Sequence, residues 1–121
     1  MSEQTIKEPK TEQLIKSIKK CHEACLDSLS YCIDMGGPHA EPNHLTVLID
    51  CAKICETSND FLLRDSGFSP LPVEICSLIC DECADSCEQF KDDENMQRCA
   101  TMCRECKKEC SDYTDQFEEI C

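Results

Sequence analysis

Apolar and polar positions recur along this chain with the period of an α-helix, and cysteine takes most of the apolar positions. Residues 76–110 carry the pattern C-x3-C-x2-C-x3-C twice, which places four cysteines at i, i+4, i+7 and i+11 in each copy. At roughly 100° of rotation per residue, each set of four falls within an arc of about 60°. The spacing predicts two helices that each bury a seam of thiols.

Shorter versions of the same rhythm occur in the first half of the chain, where serine and aliphatic residues continue the cysteine faces. The first face consists of Leu14, Ile18, Cys21, Cys25, Ser28 and Cys32, and the second of Cys51, Cys55, Ser58 and Leu62. The pattern therefore predicts four helices with cysteine, rather than leucine, at their buried seams.

Glycine, proline and acidic residues separate these helical stretches. We predict a disordered tail at residues 1–10 and one domain at residues 11–121, with helices at about 11–35, 44–65, 73–91 and 93–120. Asn43 is the expected N-cap of the second helix. No segment shows sustained period-2 alternation. Because the connections are only a few residues long, the fold class is predicted as all-α, an antiparallel up-down four-helix bundle with a cysteine-lined core.

This connectivity places two different sets of side chains at the two ends of the bundle. The ends of helices 1 and 3 lie beside the starts of helices 2 and 4, which gathers Met35, His44, Phe90 and Met96 at one end. The opposite end is an apolar plug that consists of Leu14, Ile18, Leu62, Val73 and Phe117. We expect a bound cargo to reach the core through the first end.

Composition and charge narrow the compartment and the partners. The 121 residues include 14 cysteines, no tryptophan and few aromatic residues, so the cysteines must supply much of the core. The start of the chain is polar and no stretch is apolar enough to span a membrane, so we expect a cytoplasmic protein with reduced thiols. The net charge of −13 argues against nucleic acid and anionic membranes as partners.

The cysteine spacing favours metal binding over disulfides. Residues three or four apart on a helix have Cβ atoms about 5–6 Å apart, whereas a disulfide requires roughly 3.5–4.5 Å. A metal ion with sulfur bonds of about 2.3 Å can bridge the longer distance. Thiolates facing one another in a narrow bundle form a soft site, and Cu(I) accepts two or three sulfurs, which predicts a capacity of about seven to fourteen ions.

Other cysteine chemistries remain alternatives. Cys80-x2-Cys83 and Cys103-x2-Cys106 fit the spacing of a zinc ribbon but lack its turn residues. The C-x3-C-x2-C stretches match an iron–sulfur signature that belongs on a loop of a much larger fold. A zinc or iron–sulfur protein and a thiol redox buffer or sensor are therefore the rival hypotheses. No catalytic dyad or phosphate-binding loop is present, so a binding protein is predicted rather than an enzyme.

The chain resembles the bacterial copper storage proteins, specifically their cytosolic branch of cysteine-rich four-helix bundles. The resemblance covers about residues 15–115 and rests on the duplicated cysteine pattern, on Cys51-Ala52-Lys53-Ile54-Cys55 and on His44-Leu45 at the start of the second helix. It implies a homotetramer that stores multiple Cu(I) ions per chain on cysteine pairs. The ions enter through an end that carries histidine or methionine, and their donor and acceptor are left open.

The resemblance also implies which residues bind copper. It implies that the thirteen helical cysteines from Cys21 to Cys110 line the core and that His44 stands at its mouth. The helical phase of this sequence adds Cys121 on the same face and Met35 and Met96 near the seam edge. The predicted metal ligands are Cys21, Cys25, Cys32, Cys51, Cys55, Cys76, Cys80, Cys83, Cys87, Cys99, Cys103, Cys106, Cys110, Cys121, His44, Met35 and Met96. Ser28, Leu48 and Ser58 stand where the resemblance implies further thiols, which would reduce capacity. His22 is expected at the surface and His39 outside the mouth.

Overall fold

Four α-helices form the structure, a computed structural model that describes residues 8–117. The helices are α1 (Pro9–Met35), α2 (Pro42–Leu63), α3 (Pro70–Glu88) and α4 (Glu94–Asp115), and a short 3-10 helix spans Gly37–Ala40. Each α-helix packs against its two neighbours in chain order, and α4 closes the ring against α1. The described residues contain no strand. The predicted all-α antiparallel bundle is confirmed.

The connection between α1 and α2 is tighter than the sequence predicts. Gly36 ends α1 with a φ of +69°, a left-handed conformation that glycine adopts without steric cost. Helix α2 then starts at Pro42 rather than at His44, because proline fits the first position of a helix. The side chain of Glu41 accepts hydrogen bonds from the backbone N–H groups of Asn43 and His44. The prediction of Asn43 as the N-cap was therefore wrong, and Glu41 takes that place.

Several other helix ends shift by a few residues, again because of proline and capping. Helix α3 starts at Pro70 instead of residue 73, and α1 starts at Pro9, inside the stretch predicted as a tail. Asp93 caps α4 by accepting a hydrogen bond from the backbone N–H of Met96. Helices α2, α3 and α4 end at Leu63, Glu88 and Asp115, earlier than predicted. Residues 1–7 of the predicted tail and residues 118–121 lie outside the described residues.

The core of the bundle consists mainly of cysteine. All thirteen cysteines from Cys21 to Cys110 are buried, together with small residues such as Ala84 and Ala100. Larger apolar residues occupy the ends: Leu14, Ile18, Leu62 and Val73 are buried at one end, as predicted. Thiols pack like small hydrophobic side chains, which allows four helices to approach closely around them.

The outer surface is charged and is joined by ion pairs between helices. The guanidinium of Arg104 on α4 binds carboxylates of α3, at 2.6 Å from Asp81, 2.7 Å from Asp85 and 2.9 Å from Glu88. These pairs are partly exposed, so their chief effect is to fix the register of the two helices that carry the duplicated cysteine pattern. Within residues 8–117, no helix combines the length and the apolar character that a membrane crossing requires.

Candidate metal centre

The buried thiols form a continuous column that crosses between the helices. Four groups of sulfur atoms each lie within 4.8 Å of one another. The groups are Cys21, Cys55, Cys80 and Cys106; Cys21, Cys25, Cys51 and Cys103; Cys25, Cys83, Cys99 and Cys103; and Cys76, Cys106 and Cys110. The first group takes one thiol from each helix. Since the groups share members, they form one connected column along the bundle axis.

Distances inside the column suit a shared metal and do not suit disulfides. The Sγ atom of Cys21 lies 3.7 Å from that of Cys51 and 3.8 Å from those of Cys80 and Cys103. Two sulfurs bound to one ion at about 2.3 Å lie roughly 3.8–4.6 Å apart, depending on the angle at the metal. A disulfide bond is only about 2.05 Å long. All thirteen described cysteines are free.

Burial disfavours the thiolate form throughout this core in the absence of a cation. Hydrogen bonds to Cys83 and Cys99, together with burial, raise the pKa of Cys87. Burial, with Asp93 adding negative charge nearby, raises the pKa of Cys32 to about 11. A bound soft cation offsets thiolate charge in the low-dielectric interior, so metal binding must release protons.

At one end of the column, sulfur and imidazole donors lie together. This set, here called the mouth, consists of Cys32, His44 and Met96. The Sγ atom of Cys32 lies 3.4 Å from Nε2 of His44 and 3.7 Å from the sulfur of Met96. His44 is 3% exposed, and burial lowers its pKa, so its imidazole is neutral at physiological pH. Its Nδ1 shares a hydrogen bond of 2.6 Å with the Ser86 hydroxyl, which orients Nε2 towards Cys32.

An outer layer covers the mouth. The ring of Phe90 stacks on His39 with centroids 4.2 Å apart and lies 5.0 Å from His44. Asp93 holds this layer, since its Oδ2 accepts hydrogen bonds from the Tyr31 hydroxyl at 2.7 Å and from His39 at 2.8 Å. Burial opposes ionisation of Asp93, but hydrogen bonds from Tyr31, the Met96 N–H and His39 outweigh it and lower its pKa to about 2.

The structure brings together most, but not all, of the residues predicted to bind metal. Thirteen cysteines, His44 and Met96 line the column or its mouth. Met35 ends α1 and is 53% exposed, so its side chain lies at the surface and not in the buried mouth. Cys121 lies outside the described residues. His39 contacts Asp93 and Phe90 rather than a cysteine.

Sequence reasoning missed the residues that support the site. Ser86, which orients His44, and Tyr31 and Asp93, which hold the outer layer, give no periodic signal because they lie off the cysteine faces. The one indication available in the sequence was the position of Asp93 just before the fourth helix, where an acidic side chain can cap the helix. Ser58 was recognised on the seam, where its buried hydroxyl has no hydrogen-bond partner among the described residues.

Fold and site together define a class: a four-helix bundle that holds soft metal ions on buried thiols. A family model described as copper storage protein matches residues 7–115, and the chain belongs to that family. The Cu(I)-bound copper storage protein BsCsp3 of Bacillus subtilis is 25% identical, with a TM-score of 0.80, and the match covers 85% of this chain and 96% of that one.

A second solved structure is similar over nearly the same length. A protein of Nitrosospira multiformis is 36% identical with a TM-score of 0.83, over 88% of this chain and 96% of that one. Among curated protein sequences, none matches the chain. These likenesses agree with the resemblance seen in the cysteine pattern.

Proposed function

We propose that this protein binds, stores and sequesters Cu(I) on the thiolates of its core. The observation that carries the proposal is the set of four sulfur groups that share members. A soft, low-coordinate ion can use such a column throughout, because a thiolate can bridge two ions and each ion needs only two or three sulfurs. Membership in the copper storage family and the likeness to a Cu(I)-bound relative support the same conclusion. Storage requires no catalytic step.

The column favours many ions rather than one or two. With one ion per pair of thiols the thirteen described cysteines would hold about six ions, and with every thiolate bridging two ions the capacity rises towards about thirteen. Leu48 and Ser58, both fully buried, occupy the core without adding a thiolate. Cys121 is proposed as a further ligand on the strength of its helical phase.

Uptake is proposed to pass through the mouth. The neutral imidazole of His44 and the thioether of Met96 lie 3.4 Å and 3.7 Å from the Cys32 sulfur, a set of donors that suits an ion before it reaches all-thiolate coordination. His44 is the proposed first ligand, and Ser86 positions it. Met35 is proposed to take part only as an outer contact, because its side chain lies at the surface.

We further propose a homotetramer in the cytoplasm. Leu71, Ile75 and Leu78 recur at i, i+4 and i+7 on α3 and are 62%, 48% and 64% exposed. An apolar stripe of this kind on an otherwise acidic surface supports burial against another copy. Thirteen free, closely spaced thiols support a reducing compartment, where disulfides rarely persist.

Zinc is the second candidate metal, and the arrangement of the sulfur atoms limits how many zinc ions the core can hold. Among the three groups of four sulfurs, only one pair shares no member: the group of Cys21, Cys55, Cys80 and Cys106, and the group of Cys25, Cys83, Cys99 and Cys103. Two closed tetrahedral zinc sites would therefore leave Cys32, Cys51, Cys76, Cys87 and Cys110 without a metal. A redox role would require sulfurs 3.7–3.9 Å apart to close to bond length.

An anaerobic Cu(I) titration of the reduced protein against a coloured chelator tests the proposal. We expect many ions to bind per chain before the chelator develops colour, with free thiols lost in parallel. Binding of one or two ions, or none in competition with the chelator, would overturn storage. A parallel zinc titration that saturates at about two ions with higher affinity would favour the zinc alternative.

A further inference from the structure

A groove between α1 and α4 reaches the thiol column from the side of the bundle. Its volume is about 360 Å³, and its lining includes Ala24 and Ser28 of α1 and Cys99 and Met102 of α4. Ala24 and Ser28 have small side chains, so the two helices leave space between them at this level. The groove shares Tyr31 and Asn95 with the cavity beside the mouth, but Cys32, His44 and Met96 do not line it.

Cys99 is the thiol that this groove approaches. It is 1% exposed, whereas the other twelve described cysteines are 0% exposed. It also belongs to the four-sulfur group of Cys25, Cys83 and Cys103, so the Sγ atom of Cys99 lies within 4.8 Å of three further sulfur atoms. The groove therefore connects the surface with the interior column.

The hydroxyl of Ser28 gives an independent sign that the groove receives a ligand. Ser28 is 6% exposed and lines the groove, and among the described residues its hydroxyl has no hydrogen-bond partner. Its oxygen is not shut off from solvent, as that of Ser58 is, so it can hydrogen-bond to a molecule that enters the groove. Across the α3–α4 seam, by contrast, the hydroxyls of Ser77 and Ser111 pair at 3.0 Å and satisfy each other. The α1–α4 seam leaves a polar group open to an incoming molecule.

Charge distinguishes the groove from the mouth. At the rim of the groove, Lys20 and Arg98 balance Glu23 and Asp27. The cavity beside the mouth carries three carboxylates, from Asp92, Asp93 and Glu94, against the single cation of Lys91. On a chain of net charge −13, the locally neutral groove repels an anion less than the acidic cavity beside the mouth does. A Cu(I) ion held by two small thiolates is an anionic complex, so it meets less repulsion at the groove than at the mouth.

We propose that the α1–α4 groove is a lateral site where Cu(I) is exchanged with anionic complexes of small thiols, with Cys99 and Met102 as its soft ligands. The inference rests on the proposed storage of Cu(I). As the Cu–Sγ bond to Cys99 forms, one carrier thiolate leaves and takes up the proton of the Cys99 thiol. Copper remains Cu(I) throughout, and the Met102 thioether supplies a neutral second donor. Binding to Cys25, Cys83 or Cys103 then releases the second carrier thiolate, which takes up the proton of that thiol, and the ion is in the column.

Transfer kinetics from a defined complex test this site. The probe is Cu(I) bound by N-acetylcysteine, mixed anaerobically with the full-length reduced protein in a stopped-flow instrument. Ser28→Leu fills the groove and should slow loading about tenfold, since access to the thiol controls its rate of reaction. Ser30→Leu makes the same change at an exposed position of α1 outside the groove and should load at the wild-type rate.

A second variant separates the metal role from access. Met102→Leu keeps the volume and removes the thioether, so it should slow copper transfer while alkylation of the copper-free protein is unchanged. Alkylation by N-ethylmaleimide, followed by mass spectrometry of each cysteine, should modify Cys99 first among the thirteen described cysteines of the wild type. Ser28→Leu should remove that preference, a result that does not depend on copper.

Two results would overturn the inference. One is equal labelling rates for Cys99 and for a 0%-exposed thiol such as Cys87 in the wild type. The other is equal transfer rates for the Ser28→Leu, Met102→Leu and wild-type proteins. The number of Cu(I) ions that the wild-type protein takes up in the same experiment tests storage separately. If many ions bind but the variants load at the wild-type rate, only the lateral site is rejected. If no ions bind, storage itself is rejected.

Discussion

Replacement of Cys21 by serine tests whether the thiols act as one connected column. Cys21 belongs to two of the four sulfur groups and lies within 3.8 Å of the sulfurs of Cys51, Cys80 and Cys103. Cys87 is equally buried but belongs to none of the four groups. Cys21→Ser and Cys87→Ser therefore form a matched pair of variants: the two sites are equally buried, but only Cys21 joins sulfur groups to one another.

The structure sets the size of the expected effect. A serine oxygen is a poor ligand for Cu(I), and a thiolate that bridges two ions supports both, so Cys21→Ser should lose about two ions. Cys87→Ser should lose about one ion or none, because no four-sulfur group depends on it. Each buried hydroxyl should also lower the free energy of unfolding of the copper-free protein by about 1–3 kcal/mol. Ser58 shows that the seam accommodates one such hydroxyl.

Anaerobic titration with Cu(I) against a competing chelator measures the capacity of both variants, and circular dichroism checks that each retains its helices. An equal loss of capacity in the two variants would refute the connected column and would favour independent pairs of thiols. A loss of helicity in Cys21→Ser alone would show that the thiol is required for folding. The comparison would then be repeated with Cys106→Ser, since Cys106 also belongs to two groups.

Three further predictions concern the mouth and the surface. His44→Ala should slow Cu(I) loading in stopped-flow mixing more than it lowers total capacity; equal rates would remove His44 from the uptake path. Asp93, 13% exposed, has its pKa lowered to about 2, so its stabilising effect is present above its unfolded pKa of about 3.9 and is lost as the pH falls towards 2. Asp93→Asn should therefore reduce the free energy of unfolding by about 2 kcal/mol at pH 7 and by little at pH 2; urea denaturation at both values measures this, and an equal loss at both would contradict it. Leu78→Glu should dissociate the proposed tetramer in light scattering, and an unchanged mass would place the interface elsewhere.

The sequence by itself determined the helices and their buried faces. Helical periodicity is local, so the spacing of Cys76 to Cys87 and of Cys99 to Cys110 was enough to predict which side of each helix is buried. Short connections then determined the antiparallel order, and with it the end that collects His44 and Met96. Helix starts were less predictable, because Pro42 and Pro70 stand at first helical positions and were interpreted as part of the preceding loops.

The tertiary structure alone decided which thiols meet. Contacts such as those of Cys21 with Cys80 and Cys103 depend on the rotation and axial offset of three helices, which periodicity within one helix does not specify. The residues that orient the side chains at the mouth could not be predicted from the sequence either. Asp93 binds His39 and Ser86 binds His44, and each of these contacts joins two different elements at the end of the bundle. The groove at Cys99 exists because small residues of α1 face α4 at one level. Its physical origin is the space left between two packed helices, and that space is defined only when both are in place.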